Sequence, residues 1–190
     1  ESFALATHLP HVAPGQVPIK RPLLLLHSGI VYPSERDPTQ LFEALGRLKI
    51  DGTLLPGDLR IRFRASVHDD LLENLAKVHG AQDFIEMCPP IPYREALAEM
   101  MAVDALLVMQ ASNCNAQIPA KIYEYLRAGK PILGLTDPAG DTAEVMKRAG
   151  LHNVARLDSV DEISAALKSF VFASKTGLAS LPNASAVQGA

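Results

Sequence analysis

Two stretches of this 190-residue chain hold most of the side chains that could bind an anion. The first reads His27-Ser28-Gly29-Ile30-Val31-Tyr32-Pro33-Ser34-Glu35-Arg36-Asp37-Pro38. A glycine directly after an aliphatic run and ahead of a helix start is a place where backbone amides can approach a phosphate. Ser28 and Gly29 stand at that turn, and Arg36 supplies a cation either for the same ligand or for a surface pair with Glu35 or Asp37. The second stretch, Ile118 to Leu135, reads IPAKIYEYLRAGKPILGL: a short helix ended by a glycine and followed at once by a buried strand. Pro119 suits the first turn and Gly129 the left-handed residue past the last one. Lys121 falls in the first turn, where the helix macrodipole disfavours a cation by roughly 0.3–1 kcal/mol. An anion sharing the helix N-terminus would account for it, with Glu124 facing the same mouth one turn later. The alternative is a solvated lysine and glutamate on an exposed face.

Between these stretches lies a polar loop, Gln110-Ala111-Ser112-Asn113-Cys114-Asn115-Ala116-Gln117-Ile118-Pro119, directly after an apolar run. Its amides at Asn113, Asn115 and Gln117 are donors and acceptors fit for hydroxyl groups, or simply the chemistry of a loop. Cys88, in Met87-Cys88-Pro89-Pro90, ends another apolar run. Cys88 and Cys114 form no C-x-x-C pair and have no histidine at zinc-ligand spacing, so a metal site is not expected. Neither G-x-G-x-x-G nor G-x-x-x-x-G-K-[ST] occurs, which removes the dinucleotide and P-loop fingerprints. The histidines are too scattered for a catalytic triad.

The elements that must position these residues alternate regularly. Candidate strands are Leu23–His27, Leu59–Arg64, Phe84–Met87, Ala105–Met109, Pro131–Leu135 and Val154–Leu157, with helical patterns between them. Asp37-Pro38 with Gln40, Asp141 with Glu144, and Ser159 with Glu162 read as capping boxes, while Gly80, Gly129 and Gly150 read as helix stops. Six strands alternating with helices predict an α/β doubly wound parallel sheet in the order 3-2-1-4-5-6, with the ligand crevice at the carboxyl ends of strands one and four. Strand Leu59–Arg64 alternates strictly, as if one face were wet, so either its helix cover is incomplete or the order is wrong. Residues 1–21 read as a linker or arm, 22–172 as the binding domain, and 173–190 as a small polar tail expected to be poorly ordered.

The motif K-x-x-E-Y-L-x-x-G-K-P before an apolar strand resembles the donor-binding half of GT-B glycosyltransferases, in the retaining group 1 (family 4-like) set that includes many bacterial polysaccharide-assembly enzymes. The resemblance runs from about Leu23 to about Phe170. It implies that Glu124 holds the ribose of a nucleotide sugar, and that Gly29, Arg36 and Lys121 meet the pyrophosphate. It implies a base-binding wall near Cys88, retention of configuration, no metal or other cofactor, and an N-terminal acceptor domain outside this chain. Two positions depart from the family: Ile30 stands where a first basic residue is usual, and Ala116 where a sugar-binding glutamate is usual. The sugar would then be read by Asn113, Asn115 or Gln117.

Composition narrows the remaining classes. Apolar residues make up 48% and charged residues 21%, with 18 basic against 21 acidic side chains. That balance gives no basic patch for sequence-independent nucleic-acid binding. The longest aliphatic run, Leu23–Leu26, is too short to span a bilayer, and the reading is of a cytoplasmic protein with reduced cysteines. Because the first residue is Glu, the chain is expected to be a fragment or to have lost its start. Two further readings share the architecture: a nucleotide-sugar epimerase, and a non-catalytic nucleotide-binding module. A receiver domain is excluded, since Cys88 and His27-Ser28 occupy the places its acidic residues need.

Overall fold

The computed structural model describes residues 19–189, so most of the N-terminal arm expected over 1–21 lies outside the described residues. Six parallel strands form one sheet in the order β3-β2-β1-β4-β5-β6. They are β1 (Leu23–Ser28), β2 (Leu59–Arg64), β3 (Ile85–Cys88), β4 (Ala105–Met109), β5 (Ile132–Leu135) and β6 (Val154–Ala155). The helices are α1 (Thr39–Ile50), α2 (Asp69–His79), α3 (Tyr93–Ala102), α4 (Lys121–Ala128), α5 (Asp141–Arg148), α6 (Val160–Thr176) and α7 (Ala184–Gly189). The strand order is the one the alternation predicts, and the chain reverses direction across the sheet between β1 and β4.

Burial follows strand parity. Leu23 and Leu25 of β1 point into a core shared with α1, α2 and α6, where Phe42, Phe63, Phe84 and Phe170 are fully buried. Leu26 points the other way, into a core with Met100 of α3, Ile122, Tyr125 and Leu126 of α4, and Met146 of α5. Covering both faces of a parallel sheet requires continuous apolar strands, and β1, β4 and β5 have them. Helix α1 approaches the end of α2 so closely that a Cβ on Gly46 would collide with the His79 carbonyl oxygen.

The alternating strand β2 leaves Arg60 exposed, while its other two arginines are explained by partners. Arg62 and Arg64 share Glu99 of α3, at 2.9 and 2.7 Å, and Arg62 also grips Glu86 of β3. Arg64 Nη1 donates to the Pro89 carbonyl at 2.7 Å. The helix cover over β2 and β3 is therefore present but ionic.

The capping boxes need correction. Pro38, which lacks an N–H, precedes α1, so the Asp37 carboxylate accepts from the Thr39 amide at 2.9 Å and Gln40 closes no box. Asp141 is the first residue of α5 behind Gly140, and Glu144 pairs with Arg148 at 2.9 Å. Ser159 does cap α6, accepting from the Glu162 amide at 3.3 Å, but the Glu162 carboxylate reaches back to the Arg156 amide. Gly80 and Gly129 end α2 and α4 in the left-handed conformation, as expected. Helix α6 runs past residue 173 to Thr176, and the tail beyond it carries α7. Asn183 fastens that tail, donating its side-chain amide to the Arg148 carbonyl and its backbone N–H to the Ala149 carbonyl, both at 2.9 Å. Among the described residues no helix is long and apolar enough to cross a membrane.

Candidate functional site

The β1–β4 reversal opens a cleft of about 220 Å³ at the carboxyl edge of the sheet, lined by Ser28, Gly29, Ile30, Tyr32, Arg36, Pro119, Lys121 and Tyr125 among others. The two predicted cation carriers, separated by 85 positions in the sequence, thus meet across one opening. Their arrival has local causes. The β1–α1 loop turns back on itself, with the Arg36 amide donating to the Tyr32 carbonyl at 2.8 Å. Its guanidinium donates to the Ile30 carbonyl at 2.9 Å and lies 5.4 Å from the Tyr32 ring centroid. Arg36 is therefore held in place by its own loop and not by Glu35 or Asp37, and it keeps further N–H groups for a ligand. The loop is pinned to the second cluster by the Ala111 amide, which donates to the Glu35 carbonyl at 2.7 Å.

Gly29 contributes in a different way from the one the sequence suggests. Its amide is used by the sheet, donating to the Arg64 carbonyl at 2.9 Å, so it is not free for an anion. At φ 132° with nothing within 4 Å of a built Cβ, Gly29 instead gives the turn a conformation that other residues rarely adopt and leaves the entrance open. Among the described residues the Ile30 amide makes no hydrogen bond, which makes it an available donor beside Gly29. The Ser28 amide is also occupied, by the Tyr125 hydroxyl at 2.9 Å.

On α4, Lys121 Nζ sits 2.8 Å from Glu124 Oε2. The contact is ionic, and it is the one close partner of the buried Oε2 among the described residues. The other oxygen, Oε1, accepts from the exposed Tyr93 hydroxyl at 3.3 Å. Neither residue is the freely solvated charge of the alternative reading: the Lys121 and Glu124 side chains are 34% and 25% exposed. The first turn of α4 is largely self-satisfied, since the Ile122 and Tyr123 amides donate to the Pro119 and Ala120 carbonyls. The lysine side chain, not the helix terminus, carries the positive charge here.

His27 lies beneath the same cleft. Its Nδ1 is 3.1 Å from the Leu107 carbonyl, which makes Nδ1 the protonated nitrogen, and its ring tilts against Phe63. Burial drives its pKa down to about 4, reinforced by the nearby charges of Arg36 and Lys121, so the imidazole is neutral.

The other predicted residues are drawn elsewhere. Cys88 ends β3 half-buried beside the Arg62–Arg64–Glu99 network, outside the cleft, and both cysteines are free thiols. Asn113 donates to the Ser34 carbonyl at 3.0 Å. Asn115 donates to Asp137 at 2.7 Å, so its side chain ties the β4 loop to the β5 loop. Gln117 has an exposed side chain, while its carbonyl accepts from Gln110 at 2.6 Å. Asp137 and Gln110 line a second, larger hollow of about 400 Å³ with Asp37, Arg156 and Asp158.

Sequence reasoning missed Tyr125 and Tyr93. Tyr125 was hidden inside the apolar stripe of α4 with Ile122 and Leu126, yet a buried tyrosine needs a partner for its hydroxyl, and that was the available signal.

No protein-family model matches the sequence, and no curated protein sequence does. Solved structures do resemble the fold. WaaG, a glycosyltransferase involved in lipopolysaccharide biosynthesis, superimposes with a TM-score of 0.62 at 16% identity, over 84% of this chain and 40% of that one. The catalytic domain of cholesterol-α-glucosyltransferase from Helicobacter pylori gives 0.59 at 15% identity, over 80% of this chain and 87% of that one. A mutant O-GlcNAc transferase from Thermobaculum terrenum gives 0.54 at 17% identity, and this chain spans 34% of its length. These are glycosyltransferases, and the chain shares the Rossmann-like α/β fold of the part of each that it covers.

Proposed function

We propose that this chain is the nucleotide-sugar-binding half of a glycosyltransferase, acting with an acceptor-binding domain that lies outside it. The observation that carries the reading is the Lys121–Glu124 pair: a partly buried carboxylate whose Oε2 lies 2.8 Å from the ammonium of Lys121, which itself lines the cleft with Arg36. A ribose diol on Glu124 with its diphosphate between Arg36 and Lys121 uses every one of these groups. The fold shared with glycosyltransferases supports the same reading.

In glycosyl transfer the departing nucleoside diphosphate gains negative charge as the bond to the anomeric carbon breaks. Arg36 and Lys121, fixed before the reaction by the Ile30 carbonyl and by Glu124, would stabilise that charge without a metal. The reaction proposed is retaining, with the acceptor supplied by the other domain, so this chain binds donor but transfers nothing by itself. The sugar would be met near the β4 and β5 loops, by Gln117 and by Asp137 held on Asn115. Ala116, exposed in that loop and unable to bind a hydroxyl, favours one alternative: a module that binds nucleotide and does not transfer sugar.

The ribose assignment is tested by calorimetric titration of wild type and Glu124→Ala with a nucleoside diphosphate and its 2′,3′-dideoxy analogue. The substitution is expected to remove the preference for the ribonucleotide. Equal losses toward both ligands would contradict it.

A further inference from the structure

Tyr125 is 1% exposed and lines the cleft between the two cation carriers. Its hydroxyl oxygen accepts the Ser28 amide proton at 2.9 Å, which fixes the phenol against the end of β1. A tyrosine hydroxyl is also a donor, and among the described residues nothing accepts that proton. An O–H group buried at the floor of a cleft and unmatched by protein is a donor waiting for an acceptor. The acceptor that suits its surroundings is an anion, because Arg36 and Lys121 line the same walls.

We infer that the Tyr125 hydroxyl is a phosphate-binding donor, which is anchored by Ser28 and gives its proton to an oxygen of the diphosphate held between Arg36 and Lys121. The inference rests on reading the cleft as a diphosphate site and adds a residue and a geometry to it. Burial pushes the phenol well above its usual range, with the neighbouring Glu124 charge acting the same way. The group therefore remains a neutral donor across physiological pH. The arrangement adds to a loop in which the Gly29 and Ser28 amides are both occupied and Ile30 brings an amide but no charge. One buried hydroxyl, oriented by strand β1, supplies a second neutral donor beside the Ile30 amide.

The test is calorimetric titration of wild type and Tyr125→Phe with inorganic pyrophosphate, and with adenosine, guanosine and uridine as uncharged controls. The expected result is pyrophosphate affinity weakened about tenfold or more by the substitution, with nucleoside binding unchanged. Equal pyrophosphate affinity in the two proteins overturns the inference while leaving the diphosphate cleft intact. An equal loss toward nucleosides also overturns it, because that marks a distorted pocket. Failure of wild type to bind pyrophosphate at millimolar concentration overturns both this inference and the diphosphate reading beneath it. A second measurement needs no substitution. Saturating wild type with pyrophosphate is expected to bring up a slowly exchanging hydroxyl proton resonance, coupled to phosphorus, and no such resonance at saturation would contradict the hydrogen bond.

Discussion

Lys121 and Glu124, one turn apart on helix α4, hold their charged groups 2.8 Å apart while the other glutamate oxygen accepts from the Tyr93 hydroxyl at 3.3 Å. An i,i+3 ion pair of this kind contributes only about 0.2–0.5 kcal/mol to a helix. Its value in this fold is positional, since the glutamate pairs with the lysine that lines the cleft.

Lys121→Ala is accordingly expected to change unfolding free energy by less than about 0.5 kcal/mol. The same substitution is expected to weaken diphosphate binding about tenfold, and to flatten its dependence on salt. Chemical denaturation alongside titration at two ionic strengths checks both. A large loss of stability with unchanged affinity would make the pair structural.

Tyr125→Phe leaves the Ser28 amide, at the buried end of β1, without its acceptor. The expected cost is about 1–3 kcal/mol, which lowers the melting midpoint by a few degrees and leaves the fold standing. A midpoint equal to wild type would mean that the amide finds another partner.

The sequence carried the sheet and its order because strand parity, helix period and glycine stops are local signals. The register Ser28↔Arg64 and Leu26↔Leu106 then places the Gly29 loop beside the end of β4 without further information. What could not be read was which donors were already in use. Gly29 looks free in one dimension, but its amide belongs to the β1–β2 ladder, and that pairing appears only when β2 lies alongside. In the same way Asn115 reads as a sugar contact until β5 brings Asp137 within 2.7 Å. The wet face of β2 was visible as alternation, but its cause, Glu99 on a helix 35 residues away from Arg64, was not.

Glu99 gives an acid-sensitive contribution to stability. Hydrogen bonds from Arg64, and also from Arg62, hold its carboxyl below the usual carboxylate range against the opposing effect of burial. A group whose pKa is depressed by folding stabilises the fold above its unfolded value and loses that contribution as pH falls through the folded one. Urea unfolding of Glu99→Gln is expected to show lower stability at neutral pH and a shallower decline below pH ~4 than wild type. Parallel declines would remove Glu99 from the account.

His27 acts in a higher window. Between pH ~6.5 and about 4 the unfolded chain binds a proton that the buried, neutral imidazole refuses, so stability falls as pH falls through that range. Replacing it by glutamine is expected to remove the slope between pH ~6.5 and 5 while leaving the Glu99-dependent loss below pH ~4. A slope unchanged by His27→Gln would contradict a neutral buried histidine.

The central claim is that the cleft between Arg36 and Lys121 binds a nucleoside diphosphate. The most direct measurement is the melting midpoint of this chain across UDP, ADP, GDP, CDP and dTDP at millimolar concentration without added metal. At a concentration of 100 times the dissociation constant, at least one is expected to stabilise the fold by about 2.7 kcal/mol, seen as a clear rise in the midpoint. No rise with any of the five would contradict the account.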